Sequence, residues 1–169
     1  MAGWLKRCIA RHKERQTAIK KAQEEQEQDA AAFATRWEAH QEEIQGLTNI
    51  EAQQRFFTDL EAGAFKVEYA TADNTIALPQ LPETLRDLFS RFARVTCVRS
   101  LYEIDQSQIE GCEDWLPGFL ILGYADETTL LINPPEDGIY ELFEGETEAD
   151  LEFTTYPTIY HYLLAENFD

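Results

Sequence analysis

Trp115-Leu-Pro-Gly-Phe-Leu-Ile-Leu-Gly-Tyr124, Ala125-Asp-Glu-Thr-Thr-Leu-Leu-Ile-Asn133, Pro134-Pro-Glu-Asp-Gly138 and Ile139-Tyr-Glu-Leu-Phe143 form one continuous stretch that decides the fold. Three short apolar runs are separated by two turn signals. Phe119-Leu120-Ile121-Leu122 is bounded by Gly118 and Gly123 and is too short for a typical helix. Thr128 to Ile132 mixes β-branched and aliphatic residues. Asp137-Gly138 reads as a turn dipeptide, because glycine reaches positive φ without steric cost. The expectation is three consecutive antiparallel strands, a β-meander on or beside which the rest of the chain packs.

Working towards the C-terminus, Glu144-Gly145-Glu146-Thr147-Glu148-Ala149-Asp150 reads as an acidic link and Leu151-Glu152-Phe153 as a short edge strand. Thr155 with Pro157 signals a helix start, so a closing helix is expected over 156–167. Towards the N-terminus, Gln106 to Asp114 reads as a polar loop and Val95 to Ile104 as a strand. Leu85, Leu88, Phe89 and Phe92 share a helical face, with Pro82 expected in the first turn, where its missing N–H costs nothing. Phe65-Lys66-Val67-Glu68-Tyr69 alternates as a strand does. Thr48 and Glu51 form a capping box that opens a helix over about 49–61, closed by Gly63.

Residues 4–45 contain no Pro or Gly and are rich in Ala, Glu, Gln, Lys and Arg, which predicts one long helix or two stacked ones. Ala30, Phe33, Trp37, His40, Ile44 and Leu47 recur at heptad spacing. The seam is too short for a standard coiled coil. Phe33, Trp37 and Ile44 therefore stand as a packing seam on the domain or, alternatively, as a homodimer seam. The chain divides into a helical extension, 1–47, and an α+β domain, 48–169, with a mixed, largely antiparallel sheet packed against helices.

Charge is segregated. The 169-residue chain has a formal charge of −18, yet residues 1–21 carry seven Lys or Arg against Glu14 alone. Residues 100–169 carry 17 Asp or Glu and no Lys or Arg. Such a surface repels nucleic acid and anionic membrane and attracts a basic protein. Trp4, Leu5, Cys8 and Ile9 beside Lys6, Arg7 and Arg11 resemble an interfacial anchor, which leaves a membrane contact open for the first turns. The same segment equally suits an intramolecular or dimer contact with the acidic half. Cys8, Cys97 and Cys112 are far apart and odd in number, which argues against a disulfide framework or zinc site and for a reducing cytoplasm. The N-terminus lacks the apolar core of a signal peptide.

Four pieces of the chain resemble the SUKH superfamily, known mainly as bacterial immunity proteins. Leu81-Pro82 before Leu85, Leu88, Phe89 and Phe92 is similar to the family's Leu-Pro helix entry. Gly118-Phe119-Leu120-Ile121-Leu122-Gly123 is similar to its glycine-bounded central strand. Leu130-Leu131-Ile132-Asn133 with Asp137-Gly138-Ile139-Tyr140 resembles the following hairpin, and Thr155 to Leu164 the terminal helix. The resemblance covers roughly residues 78–167. Arg91-Phe92-Ala93-Arg94 stands where the family often has Asn-Gly. The resemblance implies an α+β domain that binds and neutralises a cognate protein toxin.

Catalytic signatures do not emerge. There is no GxSxG, HExxH, P-loop or GxGxxG pattern. His12, His40 and His161 have no partner at metal-ligand spacing, and His161 between two tyrosines reads as a half-buried packing residue. The carboxylate pairs Glu113-Asp114, Asp126-Glu127 and Glu136-Asp137 fall in presumed turns, where solvation makes poor general acids. The acidic link lacks the calcium-loop pattern. The expected protein is a non-enzymatic immunity protein without cofactor or metal. Its candidate contacts to a basic toxin, such as a nuclease, are Glu110, Glu113, Asp114, Asp126, Glu127, Glu144, Glu146, Glu148 and Asp150. The alternative from another class is a dimeric regulatory adaptor using the N-terminal helix.

Overall fold

The computed structural model describes residues 2–71, 81–112, 116–125, 128–134, 136–143 and 155–168, with backbone alone for 2–16 and Ala125. The chain separates into two compact units, Met1–His40 and Gln41–Asp169. The first unit lies within a single helix, α1 (Ala2–Gln45), so the long polar stretch is one helix and not two. The second unit takes the last turn of α1, and Ile44 is fully buried in its core. The fold class is α+β, as the sequence predicts.

The second unit continues with α2 (Asn49–Glu61), β1 (Phe65–Tyr69), α3 (Glu83–Arg91), β2 (Phe92–Cys97), β3 (Glu103–Asp105) and a 3-10 turn at Gln106–Gln108. It ends with β4 (Glu110–Gly111), β5 (Leu120–Ala125), β6 (Thr128–Ile132), β7 (Ile139–Phe143) and α4 (Ile159–Glu166). Every strand pairing among the described residues is antiparallel, but the strands form two sheets: β1-β2-β3 and β4-β5-β6-β7. The meander β5-β6-β7 forms as its alternation of runs and turns predicts.

Local chemistry explains most boundaries. The Thr48 hydroxyl accepts from the Glu51 amide and the Glu51 carboxylate accepts from the Thr48 amide at 2.8 Å, the reciprocal box that satisfies two orphan donors of α2. Gly63, at φ 83°, ends the helix: its amide donates to Leu60 and that of Ala64 to Asp59, at 3.0 and 2.9 Å. These are the two bonds of a Schellman cap. Gly118, at φ 91°, follows Pro117 in a turn closed by Phe119 N–H donating to Leu116 at 3.2 Å. Pro second and Gly third is the type II pattern.

Other expectations are corrected. Val95 to Ile104 is not one strand; it breaks into β2 and β3 around a tight turn at Val98–Leu101. The polar segment after it contains the 3-10 turn and β4. The turn before β7 includes a bond from Glu136 N–H to Asn133 at 2.7 Å. The closing helix starts at Ile159 with Thr158 as its cap, because Tyr156 is taken up by a bridge to Ile139. Pro82 caps α3 rather than entering its first turn. The expected edge strand 151–153 and acidic link 144–150 lie outside the described residues.

The core explains why the meander runs are continuous rather than alternating. Leu120, Leu122, Leu130, Ile132 and Ile139 face the main cluster, with Phe56, Leu85, Leu88, Tyr160 and Leu163 from the helices. Ile121, Leu131, Tyr140 and Leu142 face the opposite side and pack with Cys112, Leu116 and Phe119. A sheet covered on both faces needs apolar residues at every position. His161 is fully buried, beyond the half-burial expected of it. The carbonyl of Leu47 can only accept, so the Nε2–H of His161 donates to it at 3.0 Å. In the neutral ring Nδ1 then accepts from the Thr158 hydroxyl at 2.8 Å. The ring thereby ties α4 to the turn between α1 and α2.

Candidate protein-binding surface

The acidic half opens to solvent in a cleft where several elements converge. Ser100, Leu101, Tyr102 and Glu103 come from the β2–β3 turn and β3, Gln108 from the 3-10 turn, Tyr124 from β5 and Glu166 from the end of α4. They line a cleft of about 390 Å³. Two of the lining residues are carboxylates and none is a cation.

The backbone builds this cleft with two irregularities. Leu101 has φ 60° and is 76% exposed. The left-handed region is costly for a residue with a Cβ and costs nothing for glycine. The turn that requires it is fixed by two bonds, Leu101 N–H to Cys97 at 3.0 Å and Cys97 N–H to Tyr102 at 2.8 Å. The second irregularity is the register shift in β5, where Ile121 pairs with Leu131 but Gly123 with Leu130, leaving Leu122 as the extra residue. The bulge turns Tyr124 outward, 61% exposed. It also places Gly123 beneath the Tyr102 hydroxyl, which a Cβ at position 123 would meet at 3.2 Å.

Of the residues chosen from sequence as contacts, the structure describes Glu110, which is exposed on β4 and accepts a hydrogen bond from the Tyr124 hydroxyl at 3.0 Å. Glu110 thus stands beside the cleft through Tyr124. Glu113, Asp114, Asp126, Glu127, Glu144, Glu146, Glu148 and Asp150 lie outside the described residues. In the helical seam, Phe33 is 48% exposed and Trp37 partly so, whereas Ile44 is fully buried in the domain core. Ile44 therefore serves packing.

The manner in which the carboxylates are held is the informative feature. Glu110 accepts from Tyr124 and Glu136 from the Tyr140 hydroxyl at 2.8 Å. Asp137 accepts from the Thr84 amide and hydroxyl at 3.1 and 3.0 Å. These donors are neutral, so they fix the carboxylates without cancelling their charge. Burial and the neighbouring Glu136 push the Tyr140 phenol up to about 12, and burial with Glu110 raises Tyr124. Burial raises the Glu141 carboxyl on β7, against a hydrogen bond from Thr155. At the boundary of this region a cation intervenes: Arg94 donates from Nε and Nη2 to Asp105 and stands 4.0 Å from Glu103.

Cys97 and Cys112 are buried, and burial pushes the Cys97 thiol up to about 12, far from a reactive thiolate. His161 spends both ring nitrogens on structure. Among the described residues no cluster of three His, Cys, Asp or Glu is placed to hold a metal ion, and no helix is long and apolar enough to cross a membrane.

Sequence reasoning missed Leu101, Tyr102, Glu103, Gln108, Tyr124 and Glu166. None stands in a motif. A short-range signal existed for Tyr124 alone, a large aromatic directly after a glycine inside an apolar strand. Comparison with protein-family models finds no match, and neither curated proteins nor solved structures yield a significant similarity to this chain.

Proposed function

We propose that this protein is a non-enzymatic binding protein that captures a basic protein partner, in the manner of an immunity protein occluding a toxin inside the producing cell. The observation that carries the reading is a 70-residue segment with no Lys or Arg, whose described carboxylates are held largely by hydroxyl and amide donors. Carboxylates held this way stay in place, and neutral donors leave their outward field uncancelled. A basic partner is drawn by that field, and a nuclease, which must present cations to phosphate, has a patch of the required sign. The resemblance to SUKH immunity proteins points the same way. The test is capture of partners from a lysate of the source organism with this protein as bait, washed at low and high salt. A basic partner released by salt is expected; retention of salt-insensitive partners alone would overturn the reading.

A dimeric adaptor is the second reading, favoured by the half-exposed Phe33 and Ile19 on α1. It requires an oligomer that grows with concentration and is lost in Trp37→Asp with the α+β domain still folded. A monomer throughout removes it.

A further inference from the structure

We propose that the open edge of β1 is a self-association surface: β1 of a second copy of this chain pairs with it antiparallel, about a two-fold axis at Val67, and joins two three-stranded sheets into one. This goes beyond the capture of a basic partner and uses none of the carboxylates after Arg99. The sheet order β1-β2-β3 leaves β1 paired on one side among the described residues. Its backbone parity is fixed at both ends. The Ala64 carbonyl accepts from Val98 at 3.1 Å and the Ala70 amide donates to Arg91 at 2.9 Å. Ala64, Lys66, Glu68 and Ala70 therefore turn their amides and carbonyls to β2. Phe65, Val67 and Tyr69 direct theirs to the open side, where no described residue pairs with them. Such a row is a template for another strand.

The side chains select a second copy as that strand. With Val67 opposite Val67 of the second copy, Phe65, Val67 and Tyr69 all fall at hydrogen-bonded positions, so one register satisfies the whole edge. In the same register Lys66 faces Glu68 of the second copy, once on each side of the axis, and opposite charges directly across an antiparallel pair attract. Both side chains are exposed. Lys66 makes no ion pair with a described residue. Glu68 already lies 3.9 Å from Arg94, whose closer bonds go to Asp105 at 2.9 and 2.6 Å. In the dimer Glu68 stands between Arg94 and Lys66 of the second copy. A lone lysine on an edge discourages pairing; with Glu68 two positions on, it is complementary to the same strand reversed. The other described edge strands lack this property. β3 paired with itself about Ile104 sets Glu103 against Asp105, and β4 and β7 carry Glu110 and Glu141 without a cation. Thr155 and Tyr156 also occupy the open side of β7. The segment around β1 is nearly neutral, residues 48–99 carrying six Lys or Arg against seven Asp or Glu, so copies meet there without the repulsion of the acidic segment. Tyr69, 69% exposed, comes to lie opposite Phe65 of the second copy, on the face where Phe65 packs against Phe56 of α2.

The strand has five residues, so the dimer is a weak one that grows with concentration. The test is sedimentation velocity of the full chain at rising concentration in about 0.15 M salt, where exposed charges more than about 8 Å apart are largely screened. Wild type should move from monomer to dimer. Lys66→Glu and Glu68→Lys each turn two attractive pairs into repulsive ones and should raise the dimer Kd by about tenfold. Mixed in equal amounts, the two variants regain both attractive pairs as a heterodimer, and the double swap regains them as a homodimer. Both rescues should return association close to wild type. The positions are exposed, and circular dichroism checks that the fold is kept. Amide exchange gives a second readout: Val67 and Tyr69 should slow as concentration rises, while Lys66 and Glu68, bonded to β2, should not change. A monomer at every concentration, a dimer indifferent to the single swaps, no rescue on mixing, or a Val67 amide already slow in the monomer would overturn the edge pairing. A dimer lost in Trp37→Asp and kept in Lys66→Glu overturns it in favour of α1.

Discussion

Two regions of the α+β domain solve the same problem differently. Up to Arg99, several carboxylates are met by guanidinium groups. Arg55 pairs with Glu43 and lies 3.9 Å from Asp59, and Arg91 lies 3.2 Å from Asp87 while its guanidinium stands 5.0 Å over the Phe57 ring. Asp87 also accepts from Gln53 and from the buried Tyr160 at 2.8 Å each, knitting α2, α3 and α4 together. After Arg99 there is no basic residue; Arg94 still reaches Glu103 and Asp105, but at Glu110, Glu136 and Asp137 tyrosine, threonine and backbone donors take that place. Asp137 goes furthest: its partner is the first turn of α3, whose unpaired amides carry partial positive charge. The first region is locally compensated. The second is geometrically satisfied and electrically open. Satisfaction of hydrogen bonds and cancellation of charge are separate conditions, and this protein separates them in space.

That contrast can be broken most sharply at Asp137. Pro82 supplies no side-chain cap, so Asp137 is the described side-chain cap of α3. Asp137→Ala should cost about 1–2 kcal/mol in urea unfolding, the range of a lost N-cap. No change would show that α3 needs no help from the turn after β6.

Compensation is tested through Asp105, a carboxylate after Arg99 that Arg94 still reaches from β2. Burial works to raise its carboxyl, yet the Ser107 hydroxyl and amide and the Arg94 guanidinium outweigh it, so it sits below its usual value. The unfolded chain therefore binds this proton first, and stability falls as pH drops from about 4 through the folded value. Asp105→Asn should lower the melting temperature at neutral pH by a few degrees and lose less than wild type across that acid window. Parallel curves for the two proteins would refute the assignment.

Salt separates the regions next. Added chloride salt screens the repulsion among carboxylates that lack cations, so the melting temperature of the wild type should rise from low to about 0.5 M. A fall would mean that the compensated pairs dominate.

The smallest effect is expected at Glu141. Burial raises its carboxyl, with Thr155 opposing. The folded state thus prefers the proton, and the penalty for the charged form is present above the folded value and vanishes as pH falls towards the unfolded one. Glu141→Gln should raise the melting temperature slightly at neutral pH and not at all in acid. A decrease at neutral pH would contradict the direction.

Legibility in the sequence follows the range of the interaction. The box of Thr48 and Glu51 spans three residues and the Gly63 cap five, and both are plain in the chain. The meander is legible because a sheet buried on both faces leaves unbroken apolar runs bounded by glycines. The break at Val98–Leu101 is not, since the residue at positive φ is a leucine and nothing in its chemistry announces it. The acidic character of the surface was legible as composition. Its concave site was not, because Glu103, Tyr124 and Glu166 are brought together from two strands and a helix.

The sequence by itself determined the α+β class, the single long helix as one of two options, the meander and the sign of the surface, since propensity, capping and net charge are local or additive. Tertiary structure alone decided that the strands divide into two sheets and that His161 binds the Leu47 carbonyl. It alone put Asp137 on a helix 53 residues away, and it gathered Glu103, Tyr124 and Glu166 around one cleft. Each of these joins groups distant along the chain, and such contacts form only once burial of the shared core has offset the entropy of bringing them together.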